Sequence, residues 1–249
     1  MSGLLLMISF FTRIPIGNRI EYTEKRYLSG LKYFPLVGLI IGLFLVPFSL
    51  LPIDNALIKG LLITIVYLVI SGGIHLDGLA DSADGLFSAR DKERILMIMK
   101  DSHIGSFGVI ALILYFISMI IIAGNLTFMW LFLMPFVGKS FGLIAGSFGD
   151  YARKDQGMGY LFMHHLKPLH GVFVLAVVSC LVGVLLGLKG LFAIFFCLLM
   201  LLIIQNKCLK TIDGHTGDTI GMTIEVIQVC FILSGYIFST LVGSPIWGL

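Results

Sequence analysis

The chain has 249 residues, of which 58% are hydrophobic and 12% charged, and its mean hydropathy is +1.02. A soluble domain carries about 25% charged residues, so this composition excludes a water-soluble protein and leaves an integral membrane protein. The formal net charge of +3 is thinly spread between apolar runs, which excludes nucleic acid as a partner and points to membrane orientation instead.

Residues 1–11 are apolar but lack a basic n-region and a small-residue cleavage site, so no removable signal is expected. The stretch 2–11 is also too short to span, since about 20 residues are needed, and it is expected in the interface or against the bundle. A basic stretch over 12–32 leads into a first span over 33–53, where Gly38-x-x-x-Gly42 suits close helix packing. A second span, 60–76, runs directly into an acidic stretch. Ser88-x-x-Asp91 then reads as a capping-box start of a short interfacial helix ending at Met99. Residues 104–138 carry no formal charge and are too many for one span, so Gly124-Asn125 predicts the turn of a helical hairpin. Its second helix bears Lys139 and the ladder Gly138, Gly142, Gly146, which marks it as central. A polar loop over 149–170 follows, with His164, His165 and His170 as loop residues. A second hairpin, 171–188 and 190–206, turns around Lys189, and a last span covers 220–242.

The fold expected is therefore all-α: a single membrane-embedded domain over 1–249, a polytopic bundle of about seven transmembrane helices plus short interfacial ones. Sorted by alternating loops, 14 of the 17 basic residues fall on one side, Lys59 and Lys189 on the other, and Lys139 inside a span. The positive-inside rule places the N-terminus and every acidic motif on the cytoplasmic side. Cys180, Cys197, Cys208 and Cys230 stand in or beside apolar runs without C-x-x-C pairing, which suggests packing and neither disulfides nor zinc.

Three carboxylates in 72–85 stand where charge is expensive. On a helix, the spacing of Asp77, Asp81 and Asp84 puts them on one face within two turns, where they repel unless something positive lies between them. A divalent cation, Mg²⁺ or Mn²⁺, satisfies this, and so do Arg or Lys partners from elsewhere. The metal is favoured because Gly78 and Gly85 leave room for a ligand. A second acidic cluster, Asp213, Asp218 and Glu225, lies on the same side, with Asp218 and Glu225 two turns apart on one helix face. Facing clusters of this kind suit metal-assisted phosphoryl transfer: Mg²⁺ on Asp77, Asp81 and Asp84 neutralises a diphosphate, and a metal-free carboxylate serves as base. Lys100, Arg90 or Arg153 would hold the remaining phosphate charge. His75 is open between ligand or base and packed interface residue. A cation transporter using the same acids is the reading from another class, disfavoured because the acids cluster at one edge.

The run HLDGLADSADG over 75–85, followed by KDSHIGSFG over 100–108, resembles the cobalamin synthase family, the adenosylcobinamide-GDP ribazoletransferases. Thr12-Arg13-Ile14-Pro15, Phe34-Pro35-Leu36-Val37-Gly38 and Gly217-Asp218-Thr219-Ile220-Gly221 with Glu225 are similar to the same family, in the same order. The resemblance implies a Mg²⁺-dependent transferase of the cell membrane that joins adenosylcobinamide-GDP to α-ribazole or its 5′-phosphate. The products implied are GMP and adenosylcobalamin or its phosphate. Together with the acidic pattern it gives a catalytic set of Asp77, Asp81, Asp84, Lys100, Asp101, Asp218 and Glu225. The substrate-binding set is His75, Gly78, Gly85, Ser102, His103, Arg153 and Asp213, where His103 occupies a position at which the family pattern has arginine. Membrane lipid is the other expected partner, and homo-oligomerisation stays open. The stretch 81–90 also comes within one inserted residue of the D-x-x-D-G-x-x-A-R form of CDP-alcohol phosphotransferases, without the downstream half of that motif, which keeps a lipid-type phosphotransferase as the alternative.

Overall fold

The computed structural model describes residues 2–16, 20–155 and 157–241, so Arg19 and Val242 lie outside the described residues. Its elements are α1 (Ser2–Phe11), α2 (Glu24–Gly30), a 3-10 turn (Leu31–Tyr33), α3 (Phe34–Ser49), α4 (Ala56–Ser71), α5 (Ile74–Leu86) and α6 (Lys92–Ile98). They continue with α7 (Ser106–Ala123), α8 (Phe128–Phe148), α9 (Met158–His165), α10 (Pro168–Ile212) and α11 (Gly217–Leu241). The described residues hold no strand, only one isolated parallel bridge between Tyr151 and His215. The chain is an all-α, multi-pass membrane helix bundle: five of its helices are long and apolar enough to cross a bilayer, six if α4 and α5 count as one broken span.

Helix α8 is the centre, packed against α3, α10 and α11. Glycines set these approaches. Gly38 and Gly42 lie against the α8 backbone at Pro135 and Phe132, and Gly138 and Gly142 against Ile224 and Gln228 of α11, so both small-residue patterns in the sequence mark real interfaces. The outer helices α7 and α10 expose most of their apolar surface, which is what a lipid-facing helix requires.

Four boundaries differ from the sequence expectation, each for a local reason. The basic stretch before the first span is partly helical: Thr23 caps α2 by accepting from the Arg26 amide at 3.3 Å, and α2 runs through the 3-10 turn into α3. The second span does not continue to Leu76. It ends at Ser71, because Gly72 and Gly73 both adopt left-handed conformations (φ 69° and 65°), and the chain bends by 98° into α5. Ser88 does not cap the interfacial helix; its hydroxyl donates to the Gly85 carbonyl, Ala89 takes a positive φ, and Asp91 caps α6 through the Arg94 amide at 2.9 Å. Finally, α10 is interrupted at Gly187 (φ 61°, ψ −146°), where the chain doubles back. A Cβ on Gly190 would lie 2.7 Å from the Val182 carbonyl, a contact impossible along a straight helix. The hairpin expected around Lys189 therefore exists, with its turn two residues earlier. Part of the polar loop is also helical, as α9.

Candidate functional site

The site is built where α5 meets the first turn of α11. A Cβ on Gly78 would sit 2.7 Å from the Asp218 carbonyl oxygen, so only glycine lets the acidic face of α5 lie directly on α11. This contact brings the two acidic clusters together at one end of the bundle. Asp81, partly exposed, interacts electrostatically with Asp77, Asp218, Asp84 and Arg153.

Arg153 is delivered by the loop after α8. The Ala152 amide donates to the His215 carbonyl and the His215 amide to the Asp150 carbonyl, both at 2.8 Å, pairing this loop with the approach to α11. That pairing sets Arg153 Nη2 2.7 Å from Asp218 Oδ2, largely out of solvent. His215 is fully buried beneath, with Nδ1 3.2 Å from Thr219 Oγ1. Burial pushes its pKa down to about 4, so it is neutral at physiological pH.

The remaining candidates separate into groups. Asp84 shares the helical face of Asp77 and Asp81 but is covered by the start of α7. Its carboxylate accepts from the Gly105 and Gly108 amides at 2.7 and 2.9 Å and so caps that helix. Gly85 is packed against Met99 of the interfacial segment, and Gly78 against Asp218, so both glycines make room for protein and not for a ligand, contrary to the sequence expectation. Lys100, Asp101, Ser102 and His103 lie exposed on the α6–α7 loop. Lys100 pairs with Asp155 at 2.7 Å, tying this loop to the one that carries Arg153. Asp101 hydrogen-bonds the His103 ring at 2.6 Å, which lowers the carboxyl pKa and raises that of the imidazole. Asp213 ends α10 in a left-handed conformation and pairs with Lys92 at 3.0 Å, away from the rim acids.

Glu225 does not face the rim cluster. It is 1% exposed, two turns deeper in α11, and accepts from the hydroxyls of Tyr115 (2.6 Å) and Tyr67 (2.8 Å) and from Gln228 (3.1 Å). His75 is buried at the start of α5, where its Nε2 lies 3.2 Å from Lys139 Nζ. Sequence reasoning assigned no site role to Lys139, Tyr67 or Tyr115. The signal for Lys139 was present, a cation inside an apolar run, but the glycine ladder around it suggested packing alone.

Beside the rim acids opens a cavity of about 310 Å³ between α1, α2, α3, α5, α9 and α11, with His75, Asp77 and Asp218 in its wall. A second cavity of about 480 Å³, almost wholly apolar, lies further along α5, where Leu79, Ala83 and Leu86 meet α7, α10 and α11. Among the described residues, no three His, Cys, Asp or Glu side chains converge closely enough to enclose one ion. The fit to a divalent cation lies in donor type and charge. Asp77 and Asp81 have no hydrogen bond or ion pair within the described residues, and the nearby Arg153 is engaged with Asp218. Hard, uncompensated carboxylates at a partly solvated rim are the donors Mg²⁺ prefers. Asp84, with both oxygens on amides, is the poorest of the expected ligands.

Residues 3–236 match the family model described as cobalamin-5-phosphate synthase. A protein of Alkaliphilus oremlandii named adenosylcobinamide-GDP ribazoletransferase is 40% identical over 244 residues, which cover 97% of this chain and 100% of that protein. Proteins of the same name from Clostridium novyi (39% identical, covering 94% of this chain and 96% of that one) and Listeria welshimeri (38% identical, 89% and 92%) are similar along nearly the same length. No solved structure matches.

Proposed function

Since the chain belongs to the cobalamin-5-phosphate synthase family, we propose that it is an adenosylcobinamide-GDP ribazoletransferase, an enzyme of late cobalamin biosynthesis that joins adenosylcobinamide-GDP to α-ribazole or its 5′-phosphate. The observation that carries the reading at the level of the site is the meeting of Asp77 and Asp81 with the Asp218–Arg153 pair at one end of the bundle.

The atom balance fixes the point of attack. GMP leaves with one phosphate, so a ribose hydroxyl of ribazole bonds to the phosphorus that carries the cobinamide ester. The bond from that phosphorus to the bridging oxygen breaks, and the oxygen departs on GMP. Asp77 and Asp81 would hold Mg²⁺ or Mn²⁺ together with water and the substrate phosphates, and the ion would neutralise the diphosphate and improve the departing phosphate. Arg153, held 2.7 Å from Asp218, adds a positive charge beside the same diphosphate. A rim carboxylate accepts the proton of the attacking hydroxyl. Lys100, Asp101, Ser102 and His103 stand on the solvent side, where a bulky corrinoid must arrive.

The same reading takes the whole chain as one domain of the cell membrane with seven crossings, the N-terminus and the acid end on the cytoplasmic side. The excess of basic residues in the loops of that end supports it. The test is an assay of the purified protein with both substrates and Mg²⁺. GMP and adenosylcobalamin are expected; CMP release from a CDP-alcohol, or no nucleotide product from any donor, would contradict the proposal.

A further inference from the structure

We infer that the cavity beside the rim acids is the acceptor subsite, a slot for the flat bicyclic base of the ribazole nucleoside with its ribose directed at Asp77 and Asp218. This rests on the ribazoletransferase reading and adds to it which substrate occupies which space. The walls are aromatic and locked against one another. Phe11 and Phe34 pack edge to face with centroids 4.8 Å apart, Phe34 and Phe162 likewise at 5.7 Å, and the His75 ring stacks on Phe11 at 5.7 Å and 24°. A rigid aromatic slot selects a planar apolar group.

Size and polarity decide between the substrates. At about 310 Å³ the cavity is at the lower end of small-molecule sites, which run from about 300 to 1,000 Å³, so it takes a bicycle with a pentose and not a corrinoid. Guanine would fit by size. Its N1–H and amino donors could reach Asp77 and Asp218 at the polar end of the wall, but its O6 and N7 acceptors would then face Phe11, Phe34, Phe162 and Ile224, and buried polar groups left unpaired oppose binding. A dimethylbenzimidazole presents only one lone-pair nitrogen. The wall supplies one matching group. The Lys139 ammonium can only donate, so His75 Nε2 accepts and the neutral ring carries its proton on Nδ1, the nitrogen nearest Gly221 on the cavity wall. Lys139 is held in turn over the Phe34 and Phe11 rings, at 5.0 and 5.6 Å from their centroids. Exposed Asp77 and partly exposed Asp218 stand where the cavity opens, as acceptors for ribose hydroxyls.

Two variants test this in the full-length membrane protein, with KM measured separately for each substrate. At Gly221 a Cβ meets only ordinary contacts, 3.4 Å and beyond, so Gly221→Ala adds one methyl group at the cavity wall beside His75 without displacing a neighbour. It should raise the KM for α-ribazole about 10-fold or more while leaving that for adenosylcobinamide-GDP within about 2-fold. Phe162→Ala should gain turnover of a nucleoside with a larger tricyclic base that the wild type refuses, a gain that misfolding cannot mimic. If both variants alter only the KM for adenosylcobinamide-GDP, or alter neither and the larger base is still refused, the subsite assignment is wrong although the enzyme reading stands. If the wild type forms no GMP from the two substrates, the enzyme reading fails first and the assignment with it.

Discussion

Lys139 shows how far a residue's role can depart from its surroundings in the sequence. It stands in a glycine ladder on the most buried helix, is 2% exposed, and places its ammonium between two phenyl rings and His75. Across the core it interacts electrostatically with Glu225, whose carboxylate accepts from Tyr67, Tyr115 and Gln228. Removing one of two opposite charges that attract across a low-dielectric core leaves the other less compensated. Lys139→Met should therefore lower the apparent melting temperature sharply in detergent. The double variant with Glu225→Gln should be less destabilised than the sum of the single changes; strict additivity would show that the two charges are not coupled. Each of these charges was conspicuous in the sequence as an ion inside an apolar run. Their partnership was not, because it depends on α8 and α11 lying side by side.

His215 gives a pH dependence of definite sign. Its folded pKa of about 4 lies below the ordinary value of 6.5, so between these values the unfolded chain binds a proton that the folded chain refuses. Stability contributed at this position is complete above pH 6.5, falls as the pH drops toward 4, and levels off below, a loss on the order of 3 kcal/mol. Melting curves between pH 7 and 4 should show a steeper decline for the wild type than for His215→Asn. Identical slopes would mean that the imidazole is not held neutral.

At the scale of elements, the arrangement depends on how α5 is placed. Its acidic spacing and helical character were legible, and the tandem Gly72-Gly73 was visible at its start. The 98° bend was not, because a glycine pair permits a left-handed turn without requiring one, and the direction of α5 is set by packing against distant helices. The reversal of α10 at Gly187, by contrast, was legible, since a hairpin was expected around Lys189, two residues further on. Asp84 carries the sharpest consequence. It shares a face with Asp77 and Asp81, and the sequence assigns all three to metal, yet α7 is seated on it. Asp84→Asn should destabilise the protein by about 0.5–2 kcal/mol, the usual worth of a helix cap, and keep substantial activity. Asp81→Asn should melt like the wild type and lose activity. The opposite pattern, with Asp84→Asn stable and inactive, would return Asp84 to the metal site.

At the scale of the molecule, the all-α, multi-pass character, the order of the apolar segments and the central place of α8 could be read from hydropathy and glycine spacing. The assembly of the rim could not, since it joins loops far apart in the chain through the Lys100–Asp155, Lys92–Asp213 and Arg153–Asp218 pairs. Single cysteines introduced at Ser88 and Gly157 should both be labelled from the cytoplasmic side of sealed vesicles. Labelling of both only from outside would invert the bundle and separate the acids from cytoplasmic nucleotides.

The most direct measurement is the initial rate of GMP formation from adenosylcobinamide-GDP and α-ribazole as Mg²⁺ is titrated, in the wild type and in Asp77→Asn, Asp81→Asn and Asp218→Asn. The wild type should require the metal, and each variant should lose at least about 100-fold in rate, Asp77→Asn and Asp81→Asn with the melting temperature unchanged. Full activity of Asp81→Asn at saturating Mg²⁺, or wild-type turnover in the presence of excess chelator, would contradict the assignment of the reaction to the carboxylates where α5 meets α11.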